Sequence, residues 1–156
     1  MVDTTSCSRR KIEYASLDEV VVDAKRLIAA GATTSGNWSV GKILEHVATV
    51  MEKSIDGFGM KPPLPMRLVS RWFLKNRFLR HGMPPGFQLK GVAAKELLPL
   101  ETDSQQALEH LRRAVERLKT NADGAVHPFF GKMDQSESNR INCRHAELHM
   151  SFIAEP

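Results

Sequence analysis

Residues 103–118 read DSQQALEHLRRAVERL, and Ala107, Leu108, Leu111, Ala114, Val115 and Leu118 recur at i, i+3 and i+4 behind an Asp103 or Thr102 start. That spacing puts them on one stripe of an α-helix turning once in about 3.6 residues, where a half-buried strand would alternate apolar and polar. Gly124 supplies the stop. A single stripe of this kind needs other elements to cover it, and the chain supplies matching stripes on both sides. Downstream, Asp134-Gln135-Ser136-Glu137 reads as a capping box opening a helix whose stripe runs Ile141, His145, Leu148, His149 and Phe152. Upstream, Ser16-Leu17-Asp18-Glu19 reads as another capping box, followed by Leu17, Val20, Val21, Ala24, Leu27 and Ile28, with Gly31 as stop. After the linker Ala32 to Asn37, Ser39 can cap a helix with Ile43, Val47, Val50, Met51, Ser54 and Phe58 on one side, ended by Gly57 and Gly59.

Between the second and third of these helices lies a different kind of sequence. Pro62, Pro63 and Pro65 force a non-helical crossing, Met66 to Arg80 interleaves apolar and basic residues in a short helix closed by His81-Gly82, and Met83 to Leu100 reads as a long irregular loop. Gly86-Phe87-Gln88-Leu89-Lys90 is at most a short extended segment. Four long amphipathic helices without an alternating strand predict an all-α bundle with an irregular crossover between helices two and three.

The 156 residues suit a single domain, and 42% apolar with 26% charged residues is an ordinary globular composition. Ten Gly and eight Pro are too few for a disordered chain. No run approaches a membrane span, and Met1 to Lys11 is polar where a secretory signal would be apolar, so a cytoplasmic location is expected. Cys7 and Cys143 form no disulfide framework and match no zinc-ribbon or redox spacing.

His145 and His149 stand four apart, so on a helix their imidazoles leave one face about a turn from each other. His46, three residues after Ile43 and four before Val50, falls on or beside the inward face of its own helix. Buried imidazoles must find partners or incur a desolvation cost, and three of them on interior faces suit a divalent transition metal with positions open to water or substrate. Separately hydrogen-bonded core histidines are the alternative, since a pair four apart is a loose pattern. The zincin signature fails, because Ala146 follows His145 and Glu147 projects about 200° around the helix from it. Glu147 is therefore expected to be a solvated or packing-edge residue.

Gly36-Asn37-Trp38-Ser39-Val40-Gly41-Lys42-Ile43-Leu44-Glu45-His46-Val47 resembles the second-helix motif of the DinB-like metal-binding four-helix bundles, in which a Trp and Ser start precedes a His. Arg144-His145-Ala146-Glu147-Leu148-His149 resembles their closing HxxxH, and His127-Pro128-Phe129-Phe130-Gly131-Lys132 resembles the segment before it in a branch known as a domain of unknown function (DUF1569). The resemblance implies an up-down-down-up bundle of DinB type, a zinc or nickel site formed by His46, His145 and His149, frequent homodimers, and relatives that are thiol-dependent S-transferases or isomerases. A metal-dependent transferase acting on a small molecule with a low-molecular-weight thiol is thus expected. The alternatives are a metal-dependent hydrolase and a non-catalytic metal- or ligand-binding bundle.

His127, biased to an extended conformation by Pro128, is a candidate fourth ligand or acid/base group, or simply orders its turn. Trp38 and Arg144 are further candidates beside the metal or the substrate, with packing as the bland role for Trp38. From Gly57 to Lys95 there are eight basic residues and no acid, and Arg67, Arg71 and Lys75 back Trp72, Phe73, Leu74 and Phe78. A solvated basic face whose aromatics pack on the bundle is the expectation, with neither nucleic acid nor a membrane as partner.

Overall fold

The computed structural model describes residues 2–86, 91–121 and 126–155, with the backbone alone for 92–94. The long helices are α1 (Leu17–Ala29), α2 (Val40–Asp56), α6 (Ser104–Thr120) and α7 (Gln135–Met150). Between α2 and α6 run α3 (Leu64–Val69), a π-helical turn (Ser70–Leu74), α4 (Lys75–His81) and α5 (Val92–Leu97). Two short strands, β1 (Thr33–Thr34) and β2 (Ile153–Ala154), pair antiparallel, so the fold is mostly helical with one small ladder absent from the sequence expectation.

The stripes read from the sequence form the core. Leu111, Ala114 and Val115 of α6 meet Leu44, Val47 and Met51 of α2, and Val20, Ala24 and Leu27 of α1 complete the cluster with Ala146 and Met150 of α7. Full burial of each Leu contributes roughly 1.5–3 kcal/mol. α2 packs most extensively on α6, and α1 and α2 each contact both α6 and α7. The α2–α6 approach depends on Gly41, where a Cβ would lie 1.9 Å from the Thr102 carbonyl oxygen. No L side chain fits there without moving backbone.

Asp103 caps α6, accepting from the Gln105 and Gln106 amides, and Asp134 and Glu137 form a complete capping box on α7. Ser39 caps α2 through the Lys42 amide. The box expected at Ser16 does not form. Ser16 makes no side-chain cap bond, and Glu19 accepts instead from the Ala15 amide, one residue earlier. The stop expected at Gly124 and the extended segment expected at 87–90 lie outside the described residues.

The crossover differs most from expectation. The helix predicted from Met66 begins at Leu64, because Pro65 falls in the first turn, where its missing N–H costs nothing. It runs through the wide π turn to His81. The loop expected from Met83 to Leu100 contains α5, which is pinned where Glu96 accepts from the Gly59 amide at 3.0 Å. A Cβ on Gly59 would meet Glu96 Oε1 at 2.0 Å, so glycine is what lets the carboxylate reach that amide.

Candidate metal centre

Three imidazoles converge where α2 faces α7. One ring nitrogen from each of His46, His145 and His149 lies within 4.8 Å of the others. The ring centroids are 5.0 Å apart for His46 and His145, 4.4 Å for His46 and His149, and 4.5 Å for His145 and His149. The i, i+4 spacing on α7 accounts for the last pair, and the α2–α7 packing brings in His46.

The His46 Nδ1–H donates to the Leu97 carbonyl at 2.7 Å. A carbonyl can only accept, so this bond fixes the tautomer and leaves the Nε2 lone pair free. The oxygen comes from α5, held in place by Glu96, and the crossover thereby orients a ligand. Burial holds all three histidines below the usual imidazole range, with the charge of neighbouring histidines adding to the effect at His145 and His149. They are therefore neutral donors at physiological pH. His46 is buried, and His145 and His149 are each partly buried as whole residues.

Trp38, expected as packing or substrate stacking, forms a wall of the site. Its ring is stacked 5.6 Å from His149 at an interplanar angle of 6° and meets His46 edge-on at 5.0 Å. His127 stacks on Phe130 at 4.4 Å and meets Phe58 edge-on, and burial pushes it down to about 4. Its Nδ1 accepts from both the Phe129 and Phe130 amides at 3.2 Å, so the proton resides on Nε2. That nitrogen is a donor, and His127 is not among the converging ligand atoms. It does lie near enough to His145 to influence its protonation.

One expectation is corrected. Glu147 is a buried residue, neither solvated nor at a packing edge, because Tyr14 packs over it. It accepts from the Tyr14 amide at 2.8 Å and from Arg144 Nη1 at 2.8 Å. Arg144, a candidate beside the metal or the substrate, bonds to Glu147, Glu13 and the Leu79 carbonyl. Cys143 is buried, and its thiol is pushed up to about 11 by burial and by Glu147, so it is no nucleophile.

Sequence spacing did not single out the Leu97 carbonyl, since any residue supplies one. Spacing along α6 likewise gives no sign that His110 is clamped by two acids, its Nδ1 meeting Glu45 at 2.9 Å and its Nε2 meeting Glu52 at 3.3 Å. Desolvation opposes the charged ring, but the two carboxylates outweigh it and raise the imidazole above its usual range. Stability from this clamp is therefore full below about pH 6.5 and is lost as pH rises through the raised folded value. His110→Gln removes it. Denaturant titrations should show wild type more stable than the variant at pH 6 and the gap closing by pH 9, and a gap independent of pH would contradict the clamp.

The chain matches the family described as Protein of unknown function (DUF1569) over residues 6–156. No curated protein and no solved structure matches it.

Proposed function

The chain belongs to the DUF1569 family, and from that premise we propose that it is a DinB-like metalloenzyme, a thiol-dependent S-transferase whose His46, His145 and His149 hold a divalent zinc or nickel ion. In this reading α1, α2, α6 and α7 form an up-down-down-up four-helix bundle, and α3 to α5 are its crossover. The observation that carries it is the convergence of three neutral imidazoles with no carboxylate among them.

The residues fit such an ion. Ligand nitrogens on a tetrahedral zinc stand about 3.4 Å apart, so the observed separations close by rotamer-scale adjustment. Three protein ligands leave a position for a substrate, as catalytic sites do. When bound, the ion supplies Lewis acidity that favours the anionic form of a small thiol.

The chain's own groups do the rest. The Leu97 carbonyl keeps the His46 proton on Nδ1, and Trp38 covers the far side of His149 and excludes water there. The fixed Nε2–H of His127 is a donor for a negatively charged atom of the bound molecule. Hydrolysis is disfavoured because Glu147, the acid between the two ligand positions of α7, is bonded to Tyr14 and Arg144 and is not free to act as a base.

Calorimetric titration of zinc- or nickel-loaded protein with glutathione and with S-methylglutathione tests the reading. Glutathione should bind only the metal-loaded form, and S-methylglutathione, which has no ionisable thiol, at least tenfold more weakly. Equal binding of the two, or binding unaffected by the metal, would exclude the thiol mechanism.

A further inference from the structure

The crossover helix presents a face that the helical core does not cover. From Leu64 to Phe73 only Ser70 is buried. Trp72 and Phe73 are 70% and 71% exposed, and Leu64, Met66, Leu68 and Val69 are about half exposed or more. Of these aromatics only Phe78 is partly buried, as is Leu74 beside them. A contiguous apolar surface of this kind on a monomer marks an interaction site.

The face is also strongly cationic. Lys61, Arg67, Arg71, Arg77 and Arg80 are exposed around it, and no acid occurs from Gly57 to Lys95. Lys75 is different, since it pairs with Glu137 at 2.7 Å and fastens the helix to α7. Beside the exposed apolar residues lies a cavity of about 120 Å³ between Leu64, Leu68, Pro128 and Phe129, flanked by Arg67 and Arg71.

We propose that this face of α3, the π turn and α4 docks on an anionic lipid bilayer surface. The apolar side chains enter the headgroup and acyl boundary, the cavity takes a few methylene groups, and the flanking guanidinium groups meet lipid phosphates. Trp72 suits that boundary because its ring is apolar with one polar N–H. A second copy placed face to face would set like charges against each other. Leu64, Met66, Leu68 and Val69 offer a nucleic acid no hydrogen bonds. No helix among the described residues is long and apolar enough to cross a membrane, so the contact is peripheral.

The full chain, metal-loaded, is sedimented with vesicles of pure phosphatidylcholine and with vesicles containing one-third phosphatidylglycerol. Each cation near an anionic surface contributes about fivefold in partitioning, or about 1 kcal/mol. The protein should favour the anionic vesicles, lose that preference in high salt, and show tryptophan quenching by brominated lipid. Arg67→Gln with Arg71→Gln should weaken partitioning roughly 25-fold, and Trp72→Ser with Phe73→Ser at least tenfold, with circular dichroism and metal content unchanged. The proposal is overturned by equal partitioning to both vesicle types, by no partitioning, or by binding that survives both double substitutions. It is also overturned if Trp72→Ser with Phe73→Ser turns a dimer into a monomer and leaves vesicle binding intact, which would assign the face to a second copy.

Discussion

Replacing His145 by alanine should abolish stoichiometric metal loading and with it the thermal stabilisation that metal gives the wild type. His145 is one of three converging donors among the described residues, so its loss leaves two ligands and a cavity. Removing even an outer partner of a metal ligand costs roughly 10–100-fold in affinity, and loss of a ligand itself should cost on the order of a thousandfold or more. With free metal at about a thousand times the dissociation constant, binding stabilises the native state by about 4 kcal/mol. For a chain of this size that is a rise in Tm of about 8–16 °C. Elemental analysis of tag-free protein should find one ion per chain in the wild type and almost none in His145→Ala or His46→Ala. A metal-induced Tm shift retained in His145→Ala would dismiss the three-histidine assignment.

The second large effect falls on stability rather than on the metal. Glu147 and Arg144 are each 8% exposed at the side chain and pair at 2.8 Å. Glu147 also accepts from the buried Tyr14 amide. Breaking such a pair by removing one partner costs about 3–5 kcal/mol, because the other charge stays buried. Glu147→Ala should therefore lower the Tm of metal-free protein by about 6–20 °C. Glu147→Gln keeps an acceptor for the Tyr14 amide and should lose less. Arg144→Met with Glu147→Met removes both charges and should be more stable than Glu147→Ala alone. Metal content measured at low temperature should be unchanged in all three. A Glu147→Ala protein within 1 kcal/mol of wild type by denaturant titration would mean that the charge pair does not hold Tyr14 and α7 together.

These two cases mark where the sequence was legible and where it was not. The His145 and His149 pairing follows from the helical period of the sixteen-residue α7, and the Asp134 capping box fixed where that helix starts. The placing of Glu147 about 200° around the helix from His145 was also correct as geometry. What spacing did not provide was the identity of the element on that other side. It is the segment around Tyr14, whose amide bonds Glu147 across 133 positions of sequence, so a residue read as solvated or at a packing edge is buried. His127 shows the same division. Its extended start followed from Pro128, but the two amides that lock its proton on Nε2 depend on how the turn closes between His127 and Gly131.

The sequence by itself determined the helical character, the starts of α2, α6 and α7, the apolar stripes that became the core, and the face shared by His145 and His149. Each of these is set by residues within a turn or two of one another, where periodicity and capping act. Tertiary structure alone decided that α5 forms inside the presumed loop and sets the Leu97 carbonyl on His46 from 51 positions away. It also decided that Glu147 is covered and that Trp72 and Phe73 are not. Those outcomes depend on which distant surfaces meet, and the pattern along one helix records only that a face is apolar, not what lies against it.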